Sequence, residues 1–151
     1  MLNVALWEPE IPPNTGNVAR LCAATASRLH LIGRLGFRLD DRSLRRAGLD
    51  YWDRVDWRRH ATLEDFETYT AGARLFPFSA RAAVPYTAVA YQLGDYLLFG
   101  GESHGLPPGV LERYAGQAVY IPMPGSQVRS LNLATAVGIA LYEALRQLHR
   151  W

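Results

Sequence analysis

Apolar and polar positions fall into short blocks whose period changes along the chain. "LNVALW" (2–7) is an apolar run stopped by Pro9 and predicts a strand. "NTGNVARLCAATAS" follows the loop "EIPPN", with Val18, Leu21, Cys22 and Ala26 at helical spacing and Asn14 or Thr15 as the expected cap. "LHLIG" (29–33) predicts a second strand, closed by Gly33. "DDRSLRRAG" predicts a short helix between Asp40 or Asp41 and Gly48. Thr62 and Asp65 have capping-box spacing at the head of "LEDFETYTAG". "RLFPFS" (74–79), "DYLLFG" (95–100) and "AVYIPM" (118–123) are strand-like, and "PPGVLERYAG" predicts a helix opened by its prolines. From Ser130 to His149, apolar residues at Ala134, Val137, Leu141, Leu145 and Leu148 describe a long amphipathic helix.

Strands that alternate with helices imply an α/β fold, a mostly parallel sheet with helices on both faces. No repeat or linker interrupts the 151 residues, so a single domain over 1–151 is expected. Ligands in such sheets bind beyond the carboxyl ends of strands. Three loops rich in Gly, Pro and small polar residues lie at those ends: "PPNTGN", "GGESHGLPPG" and "PMPGSQVRSLN".

Composition narrows the class. The single cysteine, Cys22, allows neither an internal disulfide nor a cysteine-based metal site, and its apolar surroundings predict an inert buried thiol. No run of ~18 apolar residues predicts a membrane span, and the N-terminus lacks the basic segment of a signal peptide. A cytoplasmic protein with no metal and no membrane partner is the expectation. The net charge is +2, yet all sixteen basic residues are arginine. Nine lie between Arg28 and Arg59, among them Arg45 and Arg46, with Tyr51, Trp52 and Trp57 interleaved. This segment is either a solvated arginine-rich face or an RNA-facing surface.

"GESHG" (101–105) fits the G-x-S-x-G turn of serine hydrolases. That turn runs directly into a helix and needs an acid and then a histidine downstream. Here Leu106, Pro107 and Pro108 intervene, no aspartate follows Ser103, and the only distant histidine is His149 at the chain end. Ser103 is therefore not expected to be a nucleophile. Gly100 and Gly101 instead let a ligand approach the backbone closely. Glu102 supplies one carboxylate in a loop otherwise nearly free of charge.

Three stretches carry a resemblance: "EIPPNTGNVARLCAAT", "LLFGGESHGLP" and "IPMPGSQVRSLNLATAVGIALYEALRQ". They resemble, in order, the three motifs of the SPOUT-class RNA 2′-O-ribose methyltransferases. With "SLRRAGLDYW" at 43–52 and the short length, the chain is similar over nearly its whole extent to the small tRNA (cytidine-34/uridine-34-2′-O)-methyltransferases. The resemblance implies a C-terminal trefoil knot, S-adenosyl-L-methionine as cofactor, tRNA as substrate and a homodimer. By position, Phe78, Gly100, Ile121, Ser130 and Leu131 would contact the cofactor. Arg20, Glu102, Asn14 and Asn132 match the catalytic positions, with Arg20 near the partner's cofactor. Arg20, His104, Arg45 and Arg46 would meet RNA. The family gives Arg20 the role of base, but a guanidinium stays protonated, and a phosphate clamp that orients the hydroxyl is an equally physical role. Asn14 and Asn132 could also serve as helix caps alone, and Arg20 with Glu102 as a loop-holding ion pair. The chain departs from the family at His104, where arginine is usual, and at Gly101, where proline is common. The same chemistry on ribosomal RNA, or a non-catalytic RNA-binding module of this fold, remain the alternatives.

Overall fold

The computed structural model describes residues 1–40, 42, 46 and 52–151. All five predicted strands form: β1 (Asn3–Trp7), β2 (Arg28–Ile32), β4 (Leu75–Phe78), β6 (Tyr96–Gly100) and β7 (Val119–Tyr120). Two more join them, β3 (Trp57–His60) and the two-residue β5 (Val84–Pro85). One sheet results, in the order β3-β2-β1-β6-β4-β7-β5, and every strand pairing in it is parallel. The central strands are nearly continuous apolar runs because both faces are covered.

Alternate residues supply the two faces. Val4, Leu6, Leu29, Leu31, Leu97 and Phe99 meet α1 (Pro12–Thr25) and the last helix, Leu133–His149. Ala5, Ile32, Leu98 and Tyr96 meet Leu63 and Phe66 of α2 (Leu63–Tyr69) and Val110 of α3 (Val110–Arg113). The helix Leu133–His149, here α4, begins three residues later than Ser130, with Asn132 as its cap. Thr62 caps α2 as expected, its Oγ accepting the Asp65 N–H at 3.0 Å. Cys22 is fully buried against the core, which pushes its thiol up to about 12.

Other local expectations fail for identifiable reasons. α1 starts at Pro12 with Ile11 as its N-cap, so Asn14 and Thr15 lie inside the helix and cap nothing. Pro107 and Pro108 precede α3 instead of opening it, and Gly109 at φ 84° is the cap. The predicted strand at 118–123 pairs only over Val119–Tyr120. Of the helix predicted between Asp40 or Asp41 and Gly48, Arg42 and Arg46 are described, and both are helical and exposed; the rest of it after Asp40, Arg45 included, lies outside the described residues. β3 was hidden by its arginines. Trp57 packs on Trp52 with ring centroids 5.3 Å apart, His60 is buried, and Arg58 and Arg59 face solvent along the sheet edge. Charged side chains on an edge strand discourage pairing with other chains.

A buried polar chain crosses strands β1, β2 and β3. The Asn3 amide nitrogen lies 3.4 Å from the carbonyls of Gly94 and Asp95, which turns its oxygen toward His30 Nε2 at 3.1 Å. His30 Nε2–H must then donate, so neutral His30 accepts at Nδ1 from His60 Nε2–H at 2.9 Å. Burial first, and then the neighbouring His60, lower the His30 pKa to about 3, and burial also lowers that of His60. Below the unfolded-state value of about 6.5, the unfolded chain takes up protons that the folded chain refuses. Stability should fall as pH drops from there, by about 1.4 kcal/mol per pH unit for His30 alone. Urea unfolding at pH 7.5, 6.5 and 5 measures this. We expect a loss of only about 0.3 kcal/mol over the upper interval and of about 2 kcal/mol over the lower; equal stability at pH 6.5 and 5 would contradict it.

Candidate functional site

The carboxyl ends of β1 and β6 lie side by side, with Trp7 opposite Gly100. The strand order diverges here: β2 and β3 lie on one side of this pair, β4, β7 and β5 on the other. Such a switch point opens a crevice. A cavity of about 670 Å³ lies beyond the ends of β6, β4 and β7. Its apolar walls include Phe78, Phe99, Leu106, Ile121 and Leu133, and Glu102, Asn14 and Asn132 bring polar groups to it.

Glycine makes the close approach possible. A Cβ on Gly100 would lie 2.0 Å from the carbonyl carbon of Gly105, and one on Gly101 would lie 2.4 Å from the Glu8 carbonyl oxygen. The chain turns back between them, with the Gly105 N–H donating to the Gly101 carbonyl at 2.9 Å.

Glu102 does for α1 what Asn14 was expected to do. The Glu10 N–H donates to Glu102 Oε1 at 2.8 Å, and the Ile11 N–H to Oε2 at 2.8 Å. The acceptor comes from 91 residues away: Pro12 and Pro13 bring no N–H to the first two helical positions, and the carboxylate takes the N–H groups of the two residues just before the helix. A carboxylate there also complements the positive end of the helix. Asn14 donates its Nδ2 to Glu102 Oε2 at 3.2 Å and accepts from Asn132 Nδ2 at 3.0 Å. Asn132 Oδ1 accepts the Thr135 N–H at 3.2 Å and so caps α4. Capping is thus part of the role of Asn132 and none of that of Asn14. Together, Glu102, Asn14 and Asn132 tie the three small-residue loops into one unit.

The cavity collects most of the residues singled out in the sequence. Asn14, Phe78, Gly100, Glu102, His104, Ile121, Ser130, Leu131 and Asn132 all line it. Arg20 and Arg46 are exposed and are not among the lining residues. Arg20 stands six positions after Asn14 and so about 120° from it around α1, on a different side of the helix. Sequence reasoning missed Ser79, Ala80, Met123 and Arg129, which also line the wall. Arg129 lay within the motif "VRSLN", and its charge was the available signal. Ser103 lines the cavity too, but its hydroxyl donates to Glu10 Oε2 at 2.7 Å. Its partner is a carboxylate and not a histidine, and the Gly105 N–H bond to the Gly101 carbonyl closes "GESHG" into a turn. Much of the arginine-rich segment has local partners: Arg28 pairs with Asp56 at 2.8 Å, Arg58 lies over the Tyr69 ring and Arg59 bonds the Gly33 carbonyl.

Residues 1–142 match the SpoU rRNA methylase family. This chain belongs to that family. It is 50% identical over 150 residues to the tRNA (cytidine(34)-2′-O)-methyltransferase of Escherichia coli K12, covering 98% of this chain and 94% of the relative. A solved structure concerned with the 2-OH methylation of C/U34 on tRNA superposes with a TM-score of 0.96 at 53% identity, over 100% of this chain and 98% of the other. The AdoMet-bound rRNA methyltransferase of Sinorhizobium meliloti superposes with a TM-score of 0.86 at 31% identity, over 97% of this chain but 56% of its own. The fold is therefore the SPOUT α/β fold expected from the motifs. Among the described residues no helix is long and apolar enough to cross a membrane, and no cluster of side chains could hold a metal ion.

Proposed function

We propose that this protein transfers a methyl group from S-adenosylmethionine to the ribose 2′-hydroxyl of the wobble nucleotide, cytidine or uridine 34, of tRNA. The observation that carries this reading is the cavity at the switch point, walled by the three motif loops and held together by Glu102, Asn14 and Asn132. Similarity of about half the residues along nearly the full length of a tRNA enzyme favours tRNA over ribosomal RNA. The rRNA relative is more distant and has a large part that this chain lacks.

The cavity suits the cofactor. Apolar walls at Phe78, Ile121 and Leu133 can hold a flat base, and the glycine cradle at 100–101 admits a ligand to the backbone. Phe78, Gly100, Ile121, Ser130 and Leu131 would hold it. When bound, S-adenosylmethionine supplies a methyl group already activated on a sulfonium. The protein's own task is then alignment, which can be worth effective molarities of about 10⁵–10⁸ M. Glu102, Asn14 and Asn132 keep the three loops in register for this. Arg20 holds an RNA phosphate and thereby orients the hydroxyl. The knotted path of the C-terminal part belongs to the same reading.

Because Arg20 is exposed and does not line its own cavity, we place it at the cavity of a second subunit, which makes the working enzyme a homodimer. α1 and α4 already pack on each other within the chain, so closely that a Cβ on Gly138 would lie 4.0 Å from Leu21 Cδ2. Ile11, Tyr142 and Trp151 remain 45%, 46% and 66% exposed, apolar surface that a second copy could cover. Sedimentation of active protein at micromolar concentration should give a dimer; a fully active monomer would remove both the dimer and this placement of Arg20.

His104 lies on the exposed rim of the cavity and would meet RNA phosphate together with Arg46 and Arg45. His104→Arg should tighten tRNA binding a few-fold and steepen the slope of log K against log salt by about 0.7–0.9, one phosphate contact. Identical salt slopes would exclude that contact. The overall reading is tested by incubating the protein with labelled cofactor and either unmodified tRNA or ribosomal RNA. Label should enter tRNA alone. Absence of any affinity for S-adenosylhomocysteine in calorimetry would favour a non-catalytic RNA-binding module.

A further inference from the structure

Two carboxylates stitch the loop after β1 to the loop after β6, and they do so reciprocally. Glu102, from the second loop, accepts the backbone N–H groups of Glu10 and Ile11 in the first. Glu10, from the first loop, accepts from Ser103 in the second: the Ser103 N–H donates to Oε1 at 3.0 Å and the Ser103 hydroxyl to Oε2 at 2.7 Å. Both oxygens of Glu10 are thus engaged at the tip of the turn. These two bonds, with the nearby His104, hold the Glu10 carboxyl below its ordinary range. The backbone of the turn is closed at its base by the bond from the Gly105 N–H to the Gly101 carbonyl. Gly105 has a φ of 67°. Glu102 is held by its own bonds to the first loop; beyond it, among the described residues, Ser103 has no hydrogen-bond partner but Glu10 and His104 has none, and both line the cavity. Glu10 does not line it.

We propose that Glu10 is a positioning residue: by gripping Ser103 through both carboxylate oxygens it sets the 102–105 wall of the cavity, and with it the fit of the cofactor. The inference rests on the cavity being the cofactor site. Glu102 joins the two loops independently, so loss of the Glu10 carboxylate frees the Ser103–His104 tip of the turn without unfolding the domain. The Ser103 hydroxyl here is a tether and takes no part in the reaction.

The test is S-adenosylhomocysteine binding by calorimetry for wild type, Glu10→Ala, Ser103→Ala and the double variant, together with amide exchange of the ligand-free proteins. Glu10→Ala should weaken binding about tenfold, the scale of a charge-assisted hydrogen-bonded pair. Ser103→Ala keeps the N–H bond and should lose less, and the double variant should be no worse than Glu10→Ala alone. Glu10→Gln retains one acceptor for Ser103 and should recover part of the affinity. A merely stabilising residue would change the melting temperature but not the affinity of the folded protein. The Ser103 amide should exchange about tenfold faster in Glu10→Ala while the strands stay protected. Wild-type affinity in folded Glu10→Ala, or an unchanged Ser103 amide, overturns the proposal. If wild type itself binds no S-adenosylhomocysteine, the cofactor reading falls, and the amide exchange alone decides the grip on the turn.

Discussion

Arg20→Ala should lower turnover on tRNA by about 10²-fold or more, the usual scale for a lost orienting or proton-handling group. The residue is exposed on α1, about 120° around the helix from Asn14, so its removal opens no core. Affinity for S-adenosylhomocysteine measured on the free enzyme should stay within a few-fold. Arg20→Lys should recover little, because an ammonium cannot offer the bidentate fork that fixes a phosphate. Steady-state rates with saturating tRNA, alongside cofactor calorimetry, provide the measurement. A folded Arg20→Ala protein that methylates at near wild-type rate would remove the residue from the reaction.

Glu102→Ala should cost as much in turnover, for a different reason. The variant strips the acceptor from the Glu10 and Ile11 N–H groups and from the Asn14 amide, and so unties α1 from the turn after β6. Glu102→Gln should fare little better. All three neighbours are donors to the two carboxylate oxygens, so an amide must present its own NH₂ to at least one of them. Asn14→Ala should combine with Glu102→Ala less than additively, since the two act through one bond network. Kinetics of the two single variants and the double variant test this. Independent, additive losses would show that Glu102 and Asn14 do not form a unit.

What could be read from the sequence depended on how local each signal is. β1, β2 and β6 are buried on both faces and appear as mostly apolar runs, broken only by Asn3, Arg28 and His30, and α4 repeats its apolar positions through four turns. Asn132 caps within three residues of itself, so its role was visible. The cap on α1 was not, because Glu102 reaches it across 91 residues and leaves no local pattern. β3 was missed because two of its four residues are arginines on an exposed edge. Pro107 and Pro108 suggested a helix start, but the chain first passes through Gly109 at φ 84°. The glycine-rich loops pointed to the cavity correctly. Its walls at Ser79, Ala80 and Met123 have no distinctive chemistry, and only the fold brings them there. The grip of Glu10 on Ser103 is equally long-range, spanning 93 residues.

The central claim is the site and kind of modification. Total tRNA from a strain lacking this protein, incubated with the purified protein and S-adenosylmethionine, should gain a 2′-O-methyl group that mass spectrometry maps to nucleotide 34, on cytidine or uridine. A methyl group on a base, on another tRNA position, or only on ribosomal RNA would contradict the account.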